Sequence, residues 1–390
     1  MKNLSHKHVW ILAAPIIISN ISVPLVGAVD TAVVGHLTRP DYIGAVALGA
    51  IIFSFLYWGF GFLRMGTTGF VARAYGAEDT EELSRITLRV LFLGVAIGLL
   101  IILLGHPLIR LALNWLQSEA SVERLAESYS IIRIWSAPAT LMIYVFTGIF
   151  IGLHNTRLAF VLQIVLNLTN IGLDLLFVPV LELGVQGVAW ATLIAEYTAA
   201  LTGIFLLRKR LAAAFATVKW SEIFAWQAIR ELMKTNGDIF IRTLCLVFSF
   251  AFFTAQSAKM GTVVLAANTV LIHLQSIMAY GLDGFAHSAE ALAGSAYGAR
   301  DRARFSRAVK LTTLWSGLMA VAVSVAYWIF GSQNAMILSS VGYLLLVFWL
   351  QPIWGNHGLF LALSGFMVLR TLTLGAYYPS ILRSIDRDNQ

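Results

Sequence analysis

Four carboxylates, Asp30, Asp174, Asp238 and Asp283, stand inside apolar runs of this chain. At mid-membrane depth a carboxylate costs about 3 kcal/mol or more unless it is neutralised, paired or hydrated, so each is a functional candidate. Asp174 follows Asn170 by four residues, which sets amide and carboxyl on one helical face, able to share a proton, a water or a cation. Burial raises a carboxyl pKa, so such a group can exchange protons near neutral pH. Asp238 and Arg242 repeat the four-residue spacing with opposite charges, the pattern of a structural ion pair. Asp283 lies between Gly281 and Gly284, with Glu290 two turns further on roughly the same face, so this stretch is expected to border a hydrated cavity rather than lipid. Arg64 either balances carboxylates or snorkels to the nearer interface. Aromatic residues such as Phe53, Phe60 and Phe285 could line a cavity for flat cations, although helix packing or lipid contact accounts for most of them.

Other chemistries find no residues to carry them. The histidines show no metal spacing such as HExxH, Cys245 is the only cysteine, and no nucleophile elbow, Walker loop or CxxC pair is present. No catalytic residue, metal or cofactor is therefore expected, and an intramembrane enzyme is disfavoured. The formal net charge of +7 comes without a basic, aromatic-interleaved stripe, so no nucleic-acid partner is expected.

The elements that must position these residues are membrane spans. Of 390 residues 58% are hydrophobic and 12% charged, with a mean hydropathy of +0.79. Apolar runs of about 20 residues, enough to cross about 30 Å of hydrocarbon, recur along the whole chain. They fall near 9–36, 42–72, 84–105, 128–152, 158–181 and 186–207, then near 231–258, 262–296, 306–330, 335–353 and 357–378. Lys and Arg gather in the loops around Arg73, Arg208 and Arg300, which predicts a cytoplasmic N-terminus.

The sequence also repeats itself. Ala74-Tyr75-Gly76-Ala77 returns as Ala296-Tyr297-Gly298-Ala299 at an offset of 222, carrying Asp79 onto Asp301 and Arg85 onto Arg307. Gly184-Val185-Gln186-Gly187 meets Gly355-Asn356-His357-Gly358 at an offset of 171, so 51 residues matching 112–162 are missing from the second half, between Gln333 and Asn334. Those residues hold a complete span. The expectation is an all-α polytopic membrane protein of two six-helix lobes related by a pseudo-two-fold axis along the membrane normal, eleven spans visible and twelve inferred, with a chain break at Gln333–Asn334. The N-lobe is placed at 1–210, a cytoplasmic linker at 211–230 and the C-lobe at 231–390. Parallel halves of this kind place a substrate path between lobes in many transporters, which favours a transporter over a structural membrane scaffold, where duplication is also tolerated.

Pro15, Pro24 and Asp30 on the first span, Asn170 and Asp174 on the fifth and Thr192 on the sixth together resemble the multidrug and toxic compound extrusion (MATE) family, in its DinF-like subfamily. Tyr280-Gly281-Leu282-Asp283-Gly284-Phe285 with Glu290, and Phe62-Leu63-Arg64-Met65, are similar to it too. The resemblance implies a V-shaped pair of lobes exporting drugs against protons or sodium. It implies a cation- or proton-binding network of Asp30, Asn170, Asp174 and Thr192 supported by Tyr129, bending of the first helix at Pro15, with Pro24 beside it, and a C-lobe polar cluster of Asp238, Arg242, Asp283 and Glu290. The function expected is a monomeric proton-coupled exporter of organic cations or amphiphilic compounds in the inner membrane, amid its lipids, with both termini cytoplasmic. A lipid-headgroup flippase is the rival reading, and a strongly cationic cavity would favour it.

Overall fold

The computed structural model of the protein describes residues 4–35, 40–116, 119–259 and 262–330. Their helices are α1 (His6–Gly35), α2 (Pro40–Trp58), α3 (Phe62–Gly76), α4 (Thr80–Leu116), α5 (Ala120–Arg133), α6 (Ala137–Gly152), α7 (Thr156–Phe177), α8 (Gly184–Thr217), the short α9 (Trp220–Ile223), α10 (Trp226–Lys259), α11 (Thr262–Gly298) and α12 (Arg302–Phe330). A 3-10 turn joins α2 to α3 and another joins α5 to α6, so each pair makes one crossing with a redirected middle. Seven of the described stretches are long and apolar enough to span a bilayer, and α1 and α11 add helices of 30 and 37 residues. The last two expected spans, and the Gln333–Asn334 junction, lie outside the described residues.

Lipid is the solvent these helices require. Leu103, Trp115, Leu168, Leu201 and Phe248 are all more than 60% exposed, an apolar surface that water would not tolerate. The helix apolar on every side is the most enclosed: α6 is buried along nearly its whole length at the centre of the first lobe. Gly148 and Gly152, one turn apart on α6, let α3 approach. A Cβ on Gly148 would lie 2.6 Å from the Arg64 carbonyl oxygen, and one on Gly152 2.8 Å from Val71. Small residues at such crossings substitute for the hydrophobic effect, which does not operate between helices in lipid.

The internal repeat of the sequence becomes a repeated structure. After α3, Glu78 takes a positive φ of 57°, and after α11 its counterpart Arg300 takes 54°. Asp79 Oδ1 accepts from the Glu82 N–H at 2.8 Å, and Asp301 Oδ1 from the Arg304 N–H at 2.9 Å, so each aspartate caps the next helix in the same way. The two turns also touch. A Cβ on Gly76 would overlap the Ser295 carbonyl oxygen, and one on Gly298 would overlap the Arg73 carbonyl oxygen. Arg73 and Ser295 are themselves related by the offset of 222, so the contact between α3 and α11 obeys the pseudo-two-fold relation between the lobes.

At this same basic end α1 binds the lobes together. Its first half, through Val9, Leu12, Ala13 and Ile17, packs on Phe285, Leu292 and Ala308 of α11 and α12. Further along, Ser22 meets Asn167 of the first lobe, while Asn20 still donates to the Tyr280 carbonyl of α11 at 3.3 Å. His154, in the turn between α6 and α7, donates its Nε2 proton to the Ala291 carbonyl of α11 at 3.0 Å, and burial holds its pKa below the ordinary value, so the ring stays neutral in this contact.

The connection between the lobes is shorter than the expected 211–230, because α8 runs on to Thr217 and α10 begins at Trp226. Arg89 of α4 fixes it: the buried guanidinium donates to the carbonyls of Ile223 and Glu222 at 2.9 Å each, and Arg85 reaches the Glu222 carboxylate at 2.9 Å. Those carbonyls are left over at the end of α9, where a cation is best placed. Arg89→Ala should lower stability by about 2–3 kcal/mol, and Arg85→Ala, on a more exposed pair, by under about 1 kcal/mol. Thermal unfolding of both variants in the same detergent checks the order of the two losses.

Candidate functional site

A cavity of about 580 Å³ opens inside the first lobe, a size suited to a drug-like molecule. Helix α7 supplies one wall. Gln163, Asn167, Asn170 and Asp174 follow one another at spacings of four, three and four, so all lie on a single face, and the last three are buried. Gln163 Nε2 donates to Asn167 Oδ1 at 2.8 Å, and Asn167 Nδ2 donates to Ser22 Oγ of α1 at 2.7 Å. Asn170 Nδ2 donates to Thr192 Oγ1 of α8 at 3.3 Å, while Thr192 is held by the Val188 carbonyl at 2.9 Å. The polar face of α7 therefore ties α1 on one side and α8 on the other. Asp174 is fully enclosed beneath it.

A further part of the lining is charged. Arg133, at the end of α5, pairs with Glu196 of α8 at 2.9 Å, with side chains only 13% and 8% exposed. The second Glu196 oxygen accepts from the Thr140 hydroxyl, and the Arg133 guanidinium lies 5.3 Å from the centre of the Phe53 ring. The 3-10 turn between α5 and α6 makes this possible by aiming Arg133 and Thr140 at the same carboxylate. Tyr57, Tyr144 and Arg64 line the cavity beside them.

Of the residues singled out in the sequence, Asn170 bonds Thr192, and Asp174 lies one turn further along α7. Tyr129 is buried against Phe53, ring centres 6.4 Å apart, and lines the cavity. Pro15 lies within α1. Asp30 and Pro24 belong to the same helix, but their side chains lie outside the described residues. The expected Asp238–Arg242 pair does not form. Asp238 is exposed on α10, and Arg242 donates instead to Met65 Sδ of α3 at 3.1 Å, because packing on α3 turns its side chain away from the turn below. Asp283 is half-buried on α11, and Glu290 accepts from His287 Nδ1 at 3.1 Å. Among the described residues, no hydrogen bond or ion pair joins these four C-lobe side chains to one another.

Sequence reasoning passed over Arg133, Glu196, Asn167 and Gln163. For the two amides the signal was present, as the four-three-four stripe on α7. For the ion pair it was weak: 63 residues separate its members, and only Thr192 and Glu196, one turn apart, hinted that α8 turns a polar face inward.

The profile of the MatE family matches residues 15–176 and 239–363. The chain belongs to the MatE family. This MatE chain is 37% identical to DNA damage-inducible protein F of Escherichia coli (strain K12), over 96% of its own length and 92% of that protein's. It is 24% identical to a probable multidrug resistance protein NorM of Neisseria meningitidis serogroup A, over 82% and 71% of the two chains. Among solved structures it shares its fold with a MATE in the bent conformation, with a TM-score of 0.76 and 20% identity, over 83% of this chain and 72% of the other. MatE proteins are multidrug and toxin efflux transporters rather than enzymes, and the chain is a multi-pass membrane protein of that kind.

Proposed function

We propose that the protein exports amphiphilic or cationic compounds in exchange for protons, with Asp30, Asn170, Asp174 and Thr192 as its proton site. The observation that carries this reading is the polar face of α7, which bonds α1 through Asn167 and α8 through Asn170 and places a buried carboxyl behind a drug-sized cavity. Protonation of Asp30, on the far half of α1, would change the hydrogen bonding of that helix and bend it at Pro15, which contributes no N–H to the helical ladder. The bend reshapes the cavity, and unequal affinity of substrate for the two shapes supplies the coupling. The basic end is taken as cytoplasmic, with both termini there, in the inner membrane. Such a protein works as a monomer and without a cofactor.

Twelve spans remain the expectation for the working protein. The alignment with the Escherichia coli relative is 424 positions long yet takes in 96% of a 390-residue chain, which leaves roughly 50 positions facing gaps on this side. That supports the deficit of 51 residues between the repeats.

Efflux of a fluorescent organic cation from proteoliposomes, under an imposed pH gradient and then a sodium gradient, tests the coupling. Efflux should follow the pH gradient, Asp30→Asn should abolish that response, and Asp174→Asn should slow it about tenfold or more. An Asp30→Asn protein whose efflux still answers pH unchanged would remove the proton site from α1.

A further inference from the structure

Three charged side chains gather around one hydroxyl of the cavity: Tyr144 lies within electrostatic reach of Arg64, Glu196 and Arg133. Arg133 and Glu196 neutralise one another. Arg64 is left over. It lines the cavity, its Nε is buried and bonds to nothing, and no carboxylate of the described residues comes within ion-pair distance of it. A buried donor without an acceptor is costly, and one on a charged group more so, which makes the orphan a pointer to a bound partner.

A second orphan faces the same cavity from α11. His287 is 3% exposed, its Nδ1 is engaged by Glu290, and its Nε2 is buried with no partner. With Nδ1 taken up by the Glu290 carboxylate, Nε2 is the ring nitrogen left for a bound partner. Among the described residues the cavity therefore offers a surplus cation, one unpartnered imidazole nitrogen and an apolar bed of Phe53, Trp58 and Phe160.

We infer that Arg64 anchors a subsite for the acid group of an amphiphilic substrate, a carboxylate, sulfonate or phosphate whose apolar body lies on the aromatic bed. The guanidinium fork suits a two-oxygen acid better than a lone ammonium would. A hydrogen-bonding group elsewhere on the substrate would meet His287 Nε2. The inference rests on the exporter reading and names, within its amphiphilic substrates, a class that carries an acid group.

Two probes with one fluorophore separate this subsite from general affinity: dansylglycine bears a carboxylate and dansylcadaverine an ammonium. Both are titrated against the full chain in neutral detergent. Arg64→Gln should weaken dansylglycine about tenfold or more and leave dansylcadaverine within about twofold, with Arg64→Lys between wild type and Arg64→Gln. The unchanged ammonium probe also shows that the variant is folded. Equal affinity of wild type and Arg64→Gln for dansylglycine, or equal weakening of both probes, would overturn the subsite. Repeating the titration in phosphatidylcholine vesicles with and without phosphatidylglycerol identifies the source of the acid. Competition by phosphatidylglycerol assigns the subsite to a lipid headgroup, and its absence assigns it to a free amphiphile. The exporter reading fails separately, if wild-type proteoliposomes expel neither probe under any gradient while the selective loss of binding persists.

Discussion

Gly76→Ala should part the basic ends of α3 and α11 and expose Ser295 to water. The added Cβ would overlap the Ser295 carbonyl oxygen, a backbone atom that cannot rotate away, so relief requires the helices to separate. Overpacking of this kind costs on the order of 1–3 kcal/mol, enough to shift a two-state equilibrium about fivefold to 150-fold toward the parted form. Gly298→Ala should act in the same way through the Arg73 carbonyl, because the two contacts are related by the repeat. Ser295 is 1% exposed, so a Ser295→Cys reporter, in a chain whose exposed Cys245 has been replaced by Ala, is shielded while the ends touch. Its labelling by a water-soluble maleimide should speed up about tenfold or more in either alanine variant. The double variant should add little, since the first substitution already relieves the second clash. Labelling that stays at the wild-type rate would mean that this contact does not hold the basic end closed.

Removing either member of the Arg133–Glu196 pair should destabilise the first lobe more than removing both. Arg133→Met leaves a buried carboxylate with only the Thr140 hydroxyl, and Glu196→Leu leaves a buried guanidinium over Phe53. Each single change should cost about 3–5 kcal/mol, whereas the double replacement exchanges a desolvated pair for apolar packing and should recover most of that loss. Thermal unfolding of the three variants in one detergent gives the coupling energy directly. A double variant as unstable as the sum of the singles would show that the two charges do not compensate one another. Transport should respond differently: the double variant regains stability without regaining the polar wall, so its efflux rate should remain low.

The α7 stripe and the α3/α11 turns were legible in the sequence because both are local. A spacing of four, three and four fixes the face shared by Gln163, Asn167, Asn170 and Asp174 whatever surrounds the helix. The tetrapeptide at 74–77 and 296–299, with its aspartate two residues on, likewise specifies a helix end, a left-handed residue and the next cap within a few residues. The same local rule misled at Asp238 and Arg242. A spacing of four allows an ion pair but does not require one, and contact with Met65 of α3 settled which way Arg242 turns.

By itself, then, the sequence determined that the chain lives in lipid, that its halves share a plan, and which residues of α7 face inward, since apolar length and helical periodicity are properties of a single segment. Only the tertiary structure decided that Arg133 meets Glu196 across 63 residues, that Arg64 is left without a counter-charge among the described residues, and that Gly76 and Gly298 each seat against a backbone carbonyl of the other lobe. Those outcomes depend on the rotation and depth of one helix against another. In lipid that choice is made by close packing of small residues and by satisfying buried polar groups, and neither leaves a periodic trace in the sequence of one helix.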